Sequence, residues 1–324
     1  MTTPLRVKCT KCLREAFVRI PYAKLNLCNE HYIEYFEKRV LKTIERYGLF
    51  KSTKRVLVAV SGGKDSLTIL RVLSRYRDVL EITLTGLHLD LGVGVYSEKS
   101  REIVLDMCSN HGVVCNTISL SDLLSYTLPE LVRRTSRPPC SLCGLIKRYV
   151  FNVAALEWGF DVVVTGHHMD DILVFRVKEM LMGQRESEVA KLLPFTPGVT
   201  GFYIARARPL YEMYEWEIEL YSKLTGLKHL EVQCPFKYRD VISSNIAEML
   251  MKIDSEIPGF KITLARRLAK KARWDISTEK ITPCQYCGMP SSSGICALCK
   301  LTLKTHGKPM GLTVREKLRS TRPI

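Results

Sequence analysis

A glycine-rich loop between an apolar run and a helical pattern constrains the fold of this chain more than any other feature. Residues 56–60 form a continuous apolar run typical of a buried parallel strand, and residues 66–76 have a helical pattern. The residues that join them are Ser61, Gly62, Gly63, Lys64, Asp65 and Ser66. Glycine lets backbone N–H groups close around an anion, and a helix N-terminus favours negative charge. The loop therefore predicts a phosphate site, without the spacing of a Walker A loop; the alternative is an ordinary strand-to-helix turn.

Strand and helix patterns alternate along the central part of the chain. The predicted strands span residues 56–60, 82–89, 113–118, 161–165 and 203–207. The predicted helices span residues 33–48, 66–76, 97–111, 140–158, 171–182 and 213–225. This alternation predicts an α/β fold with a doubly wound parallel sheet, in which ligands bind beyond the carboxyl ends of the strands.

Two groups of metal-binding residue types lie near the two ends of the chain. The first group contains Cys9, Cys12, Cys28 and His31, and the second contains Cys284, Cys287, Cys296 and Cys299. Paired CxxC and CxxH spacings suit tetrahedral structural zinc, and each set fills all four positions with protein. We therefore predict two Zn²⁺ per chain and no zinc catalysis. The modules would either grip RNA or brace the catalytic domain.

These groups divide the 324 residues into four parts. We predict an N-terminal zinc module over 1–36, a linking helix over 37–54 and a catalytic domain over 55–255. Basic helices, a zinc ribbon and a tail make up 256–324. We expect the basic tail, from residue 312 on, to be poorly ordered until it binds a partner.

The net charge of +16 makes an acidic polymer such as nucleic acid the expected partner, because each neutralised phosphate releases counterions. Basic residues crowd positions 261–273, and we predict that four of them bind RNA: Arg266, Arg267, Lys270 and Lys271. No segment has the roughly 18 apolar residues that span a bilayer. The first residues also lack the apolar stretch of a signal peptide. We therefore expect a cytoplasmic protein with no membrane partner.

Two further cysteines begin the helix predicted over 140–158. Cys140 and Cys143 lie where the helix dipole favours thiolates, and Lys147 follows one turn later on the same face. Such a pair could be a redox pair, half of a zinc site or a persulfide carrier. Cys234 could also complete a set of three, which suits an iron–sulfur cluster with one iron left open.

The strand predicted over 161–165 leads into a polar turn. Gly166 lets a ligand approach closely, and Asp170 and Asp171 could hold Mg²⁺ or polarise a reacting group. The alternative for either aspartate is helix N-capping. The two remaining cysteines, Cys108 and Cys115, lie among apolar residues, and we expect them to be buried core cysteines without a redox role.

Taken together, these motifs resemble the tRNA 2-thiolation branch of the PP-loop ATPases, the 2-thiocytidine and 2-thiouridine synthetases. The resemblance covers nearly the whole chain, and the two zinc modules fit the 2-thiouridine type best. It implies a 4Fe–4S cluster held by Cys140, Cys143 and Cys234, with Lys147 and Asp171 as the catalytic pair. It also implies a homodimer and a sulfur-donor protein, often a ubiquitin-like carrier.

The resemblance also implies cleavage of ATP between its α and β phosphates, with Mg²⁺. We expect ATP to contact Ala59, Ser61, Gly62, Gly63, Lys64, Asp65, Ser66, His88 and Gly166. The sequence departs from the family pattern at His168, where Asn is usual, and at Ile172, where an acid is common. Two rival functions remain at this stage: another PP-loop ligase acting on tRNA, and a zinc-dependent RNA-binding protein with a vestigial ATPase domain.

Overall fold

A computed structural model describes residues 7–182, 192–237, 240–271 and 282–322. Its strands are β1 (Val18–Ile20), β2 (Leu25–Leu27), β3 (Arg55–Ala59), β4 (Thr83–Asp90), β5 (Val114–Ser119), β6 (Val162–Val164), β7 (Phe195–Thr196), β8 (Ala205–Ala207), β9 (Thr282–Pro283) and β10 (Pro290–Ser291). Its α-helices are α1 (Asn29–Tyr47), α2 (Lys64–Tyr76), α3 (Gly94–Asn110), α4 (Leu120–Leu124), α5 (Leu128–Arg133), α6 (Pro139–Trp158), α7 (Met169–Leu181), α8 (Glu215–Leu224), α9 (Val241–Glu256), α10 (Phe260–Lys271), α11 (Ala297–His306) and α12 (Gly311–Ser320).

The central sheet has the strand order β5-β4-β3-β6-β8-β7. Neighbouring strands from β5 to β8 are parallel, whereas β7 pairs antiparallel with β8 at the edge. The predicted α/β fold with a parallel sheet is therefore confirmed, with one short antiparallel edge strand that the sequence did not indicate. The order reverses at β3, which places the loop after β3 at the switch point where such sheets bind ligands.

One face of the sheet packs against α1, α2, α3 and α8. Val56 and Val58 of β3 point to this face, as do Val162 and Val164 of β6. Helix α1 runs without a break across the boundary predicted at residue 36. Its largely covered Arg39 forms an ion pair with the buried Glu217 of α8, so this helix, which continues the N-terminal module, is tied directly to the catalytic domain.

The opposite face packs against α6 and the C-terminal module. Leu57 of β3 shares this core with Trp158 of α6 and with all four C-terminal cysteines. The indole N–H of Trp158 donates to the carbonyl of Leu318 at 2.6 Å, and the Tyr149 hydroxyl donates to that of Gly311 at 3.1 Å. The C-terminal residues are thus part of the main core.

Helices α7, α9 and α10 form a third core beside the sheet. Met169 and Leu173 of α7 pack there with Leu250 of α9 and Ala265 of α10. Tyr211, Tyr214 and Tyr221 are buried in the protein cores, and Trp216 is 37% exposed. Within the described ranges, no helix is both long and apolar enough to cross a membrane.

Two expectations about the chain were wrong. The tail expected to be poorly ordered contains helix α12, whose Val314 and Leu318 are fully buried. Cys108 and Cys115, expected as free core cysteines, are joined by a disulfide. This disulfide links α3 to β5, and it lies so close to Gly86 that a Cβ on that residue would be 2.1 Å from the Cys115 sulfur.

Candidate active site

A cleft of about 360 Å³ lies at the carboxyl ends of the parallel strands. This volume is within the range of roughly 300–1,000 Å³ that is usual for small-molecule sites. Predicted site residues that line it are Ala59, Ser61, Gly63, Asp65, Ser66, His88, Lys147, Gly166 and Asp171. Gly62 and Lys64 belong to the same loop but are not among the lining residues.

The loop after β3 is held in shape by its own serines. Ser61 donates its backbone N–H to the Ser66 hydroxyl at 3.1 Å, and that hydroxyl donates to the Gly63 carbonyl at 3.0 Å. Ser100 of α3 donates to the Ser61 carbonyl at 2.7 Å. Gly62 has a φ of +78°, and a Cβ there would be 2.8 Å from the Ser100 hydroxyl. The loop therefore requires glycine at this position on two grounds.

Gly166 also permits a close approach, but the group that approaches it belongs to this chain and not to a ligand. A Cβ on Gly166 would lie 2.8 Å from the backbone nitrogen of Ser66. The end of β6 thus packs directly on the first turn of α2, whose leading N–H groups have no partner within the helix. The nearest neighbour of Gly166 is therefore the phosphate-binding loop, and not open space reserved for a ligand.

The amine of Lys64 is held by two carboxylates. It lies 3.0 Å from Glu215 and 3.3 Å from Asp65. Burial lowers the pKa of Lys64, but these two carboxylates outweigh burial and raise it overall. Lys64 is therefore a firmly charged cation at the N-terminus of α2. Leu230 donates its N–H to the Gly62 carbonyl at 2.9 Å, which ties the loop to the segment that leads to Cys234.

His88 is buried beside the loop in one tautomer. Its Nδ1 lies 3.0 Å from the Val60 carbonyl, so Nδ1 carries the proton and Nε2 is an acceptor. Nε2 is buried without a hydrogen-bond partner among the described residues. Burial lowers the pKa of His88, and the positive charges of Lys147 and Arg101 lower it further. A neutral acceptor therefore faces the cleft.

The two adjacent aspartates have different surroundings. Asp170 accepts from Lys261 at 2.6 Å and from the Glu215 backbone N–H at 2.7 Å, so it joins three helices. Asp171 lines the cleft, and its carboxylate lies 3.3 Å from Nε2 of His168. Desolvation in the cleft raises the pKa of Asp171 although its side chain is 51% exposed; His168 opposes this rise, and the nearby charge of Asp65 adds to it. Of the two, only Asp171 is available to a ligand in the cleft.

Cys140, Cys143 and Cys234 lie close together beside the cleft, next to its lining residues Gly144 and Tyr96, although none of the three is itself a lining residue. We call this side the sulfur end of the cleft. Cys140 donates its thiol to the Phe236 carbonyl at 3.5 Å, which connects α6 to the segment that carries Cys234. Burial raises the pKa of the Cys143 thiol, the charges of Cys234 and Cys140 raise it further, and Lys147 opposes them. The helix dipole was predicted to favour the thiolate form here, but by itself it does not keep the pKa of the Cys143 thiol low.

Each terminal set of metal-binding residue types is already assembled. Within each set, the four ligand atoms lie within 4.8 Å of one another. The sets are Cys9, Cys12, Cys28 and His31 near one end, and Cys284, Cys287, Cys296 and Cys299 near the other. All of these cysteines except Cys12 are buried. Such short separations suit one tetrahedral ion in each set.

The predicted RNA-binding residues differ in what they contact. Arg266 donates to the buried Glu212 carboxylate at 2.6 Å, and Arg46 binds the same carboxylate at 2.9 Å. Lys261, at the start of the basic stretch, is buried with Asp170. Arg267 and Lys270 are exposed. The side chain of Lys271 and residue 273 lie outside the described residues.

The structure adds three residues of basic type that the sequence argument did not select, two arginines and a histidine. His167, Arg148 and Arg206 all line the cleft. Desolvation by the cleft wall lowers the pKa of His167, and the charges of Arg208, His168 and Arg206 lower it further, so this ring is neutral although part of it is exposed to solvent. A charged residue within an otherwise apolar strand is unusual, and Arg206 in β8 could have been found from that signal.

Comparisons with known proteins agree with this geometry. A family model described as a PP-loop domain matches residues 33–234. A model described as the N-terminal LIM domain of the 2-thiouridine synthetase TtuA matches residues 8–33.

The chain is also similar to named proteins over nearly its full length. It is 39% identical to a tRNA-5-methyluridine(54) 2-sulfurtransferase of Pyrococcus horikoshii, over 91% of this chain and 93% of that protein. It is 36% identical to one of Thermus thermophilus, over 90% of each. The solved structure of the U34-tRNA thiolase NcsA from Methanococcus maripaludis with its [4Fe-4S] cluster superposes with a TM-score of 0.78 at 25% identity, over 91% of this chain and 95% of that one.

Proposed function

Because this chain belongs to the tRNA 2-sulfurtransferases of the PP-loop family, we propose that it replaces the 2-oxygen of a tRNA uridine with sulfur at the expense of ATP. One observation carries the proposal. The phosphate-binding loop lines one cleft together with Gly144, which directly follows Cys143, and Cys140 and Cys234 lie close to Cys143, so activation and sulfur transfer can occur on the same base.

The proposed target is the uridine at position 54 of tRNA. The relatives that are 39% and 36% identical carry that position in their names, whereas the superposed thiolase, named for U34, is 25% identical. These relatives therefore differ in the tRNA position, 54 or 34, that their names carry. We therefore assign the chain to the 54-specific type.

In the first step, the uridine O2 attacks the α-phosphate of ATP and pyrophosphate leaves. Backbone N–H groups of Ser61, Gly62 and Gly63, together with the first turn of α2, cradle the phosphates. Lys64 neutralises charge that develops on the leaving group, and Asp65 would hold Mg²⁺, which would neutralise further phosphate charge when bound. The ion pairs of Lys64 with Glu215 and Asp65 keep the amine in place until ATP arrives.

Adenine lies against the end of β3 and β4. Ala59 offers little bulk, and His88 presents the unpaired Nε2 acceptor. The exocyclic amine of adenine is a hydrogen-bond donor, whereas guanine has a carbonyl oxygen at the equivalent position. The neutral His88 acceptor thus favours adenine over guanine.

Lys147 and Asp171 act on the second step. A sulfur nucleophile attacks C2, and AMP leaves with the former O2. Lys147 lies on α6 between the cysteines and the nucleotide, where its charge stabilises the departing phosphate. Asp171, whose pKa is raised by burial, exchanges a proton at the base.

The three central cysteines suit an iron–sulfur cluster better than a single ion. Among the described residues, only the terminal sets bring their ligand atoms within 4.8 Å of one another. A cluster is wider than one ion and holds its cysteines further apart, while three thiolates leave one iron without a protein ligand. When bound, such a 4Fe–4S cluster supplies a site that carries the sulfur atom. Cys140, Cys143 and Cys234 would hold it.

The terminal sets each hold one Zn²⁺ in this proposal, and neither takes part in the chemistry. Their burial within the two main cores supports a bracing role. An RNA-gripping role is carried instead by exposed basic residues such as Arg267 and Lys270.

Three further parts of the proposal concern partners and place. The sulfur comes from a donor protein of the ubiquitin-like type, and the enzyme acts in the cytoplasm. Ten free cysteines fit a compartment kept reducing. The chain forms a homodimer, and exposed apolar residues such as Phe175 and Met180 on α7 and Val241 and Met249 on α9 offer a surface for it.

Anaerobic iron and sulfide analysis of cysteine variants tests the cluster. Cys140→Ser, Cys143→Ser and Cys234→Ser should each lose iron, visible absorbance and thiolation together, while ATP–pyrophosphate exchange survives in part. Cys115→Ser, outside the cleft, should keep its iron. If a persulfide on Cys140 or Cys143 carries the sulfur instead, Cys234→Ser will be mild and iron-free enzyme will stay active. That result would end the cluster proposal and leave the activation step standing.

A further inference from the structure

Two arginines form the wall of the cleft on the side away from the adenine site. Arg148 lies on α6 and Arg206 on β8, and both line the cleft. Arg206 donates to the Arg148 carbonyl at 3.4 Å. A Cβ on Gly144 would lie 3.0 Å from Nη1 of Arg148, so this guanidinium folds back by one turn towards Cys143. The pair therefore stands beside the sulfur end of the cleft.

The positive charge of this pair is not neutralised by protein. In the described parts of the chain, no carboxylate forms an ion pair with Arg148 or Arg206, whereas Arg39, Arg46 and Arg315 each have one. Burial lowers the pKa of Arg206, and repulsion by Arg148 lowers it further. Holding two like charges together in a partly buried wall costs free energy unless an anion binds there.

ATP does not account for this anion site. The strand order places β8 two strands from β3, or about 10 Å from the phosphate-binding loop. His88 lies on β4, on the other side of β3, and its side chain projects from the opposite face of the sheet. In the proposed function, ATP would extend from β4 towards the loop, so the arginines on α6 and β8 lie beyond it and are left for a second substrate.

We propose that Arg148 and Arg206 bind a backbone phosphate of the RNA strand directly next to the target uridine. This inference rests on the proposed function. For chemistry, the uridine must lie between the loop and the cysteines, and its flanking phosphates then follow within one nucleotide. Guanidinium groups bind phosphate through paired hydrogen bonds, which fix orientation as well as charge. The pair is thus a positioning device that holds an unstacked base in the cleft.

Single-phosphate neutralisation tests this contact directly. The probe is a set of RNA hairpins carrying the T-loop, each with one methylphosphonate at a phosphate near the target uridine. Wild-type protein should lose roughly ten- to hundred-fold in affinity at one flanking position, the loss expected for a charged hydrogen bond. Arg206→Gln and Arg148→Gln should show the same loss on unmodified RNA and no further loss with that methylphosphonate.

Matched variants separate this role from a structural one. Arg206→Lys keeps the charge and should recover part of the affinity, and the exposed Arg322→Gln should behave as wild type. ATP affinity and the midpoint of thermal unfolding should be unchanged in Arg148→Gln, whose side chain is exposed.

Three results would contradict different claims. If the arginine variants keep both the RNA affinity and the methylphosphonate penalty of wild type, the proposal is overturned. It is also overturned if they bind RNA normally and fail only with a donor protein while working with free sulfide, because the pair then binds a carboxylate. A third result is that the methylphosphonate penalty is present in wild-type protein and absent from the arginine variants, but the wild type never thiolates RNA. The proposed function then fails, and the phosphate contact stands.

Discussion

The tautomer of His88 shows how one backbone contact can set ligand preference. The Val60 carbonyl fixes the proton on Nδ1, and the lowered pKa keeps the ring neutral. Nε2 is left as a buried acceptor that needs a donor. In the proposed function, an adenine amine would satisfy it, and a guanine carbonyl oxygen would oppose it.

Replacing His88 should therefore weaken ATP binding selectively. We expect His88→Leu to reduce ATP affinity by roughly two- to ten-fold, the value of a neutral hydrogen bond, with little change for GTP. ATP affinity of the wild type should stay constant as pH falls through 6.5, the ordinary pKa of histidine, because the folded pKa is lower. Calorimetric titration measures both, with His111→Leu at the end of α3 as control. Equal weakening of ATP and GTP would contradict the assignment.

Residue roles that depend on distant partners could not be predicted from the sequence. Arg266 and Lys261 look alike in a basic stretch, yet their partners Glu212 and Asp170 lie 54 and 91 positions away. The loop residues were predictable because their function follows from local order: a strand, two glycines and a helix start. Gly166 was predicted to let a ligand approach closely, whereas the structure packs it against the Ser66 backbone, a neighbour that depends on the strand order.

Helix α6 links the C-terminal module to the active site. It carries Cys140, Cys143 and Lys147 at one end, and Trp158 at the other end bonds to Leu318 of α12. Tyr149 in its middle bonds to Gly311. The longer helices from α1 to α8 were predictable from their periodicity, whereas no bounds were predicted for α9, although it is 16 residues long. The short α4, α5 and β7 were not, since segments of this length carry too little pattern to distinguish them from turns.

Loss of the C-terminal zinc should consequently reach α6. Structural zinc contributes on the order of 10 kcal/mol or more to folding of such modules, and these four cysteines lie within the main core. We expect Cys296→Ser to lose one of two zinc ions and to speed hydrogen exchange along α6 more than along β4. Metal analysis and exchange mass spectrometry check this, with Cys12→Ser at the other end as the matched variant. Unchanged exchange in α6 would mean that the module is only an appendage.

The whole molecule combines a net charge of +16 with a cleft that must accept a polyanion. Part of that charge is structural, as at Arg266, and part is exposed to solvent, as at Arg267 and Lys270. Composition predicts the partner class because counterion release depends on total charge. It does not predict which basic residues touch RNA, since that depends on which carboxylates fold against them.

Neighbouring arginines on α10 should therefore differ in what their loss does. Arg267→Ala should reduce the slope of log affinity against log salt for tRNA by about 0.7–0.9, the effect of one lost phosphate contact, with unfolding unchanged. Arg266→Ala should leave that slope unchanged and lower stability. The loss should be below the about 3–5 kcal/mol of a fully buried pair, because Arg266 is 47% exposed and Arg46 still binds Glu212. The opposite pattern would make Arg266 the RNA contact.

The identity of the product tests the central claim most directly. Anaerobically reconstituted protein, tRNA, ATP and a sulfide source should yield 2-thiouridine or its 5-methyl form at position 54, with one AMP and one pyrophosphate released per sulfur incorporated. Nucleoside mass spectrometry and nucleotide chromatography measure the two sides of this balance. Lys64→Ala should abolish both together, because its amine serves the activation step. ATP cleavage to AMP without a thiolated nucleoside, or thiolation that continues in Lys64→Ala, would contradict the account.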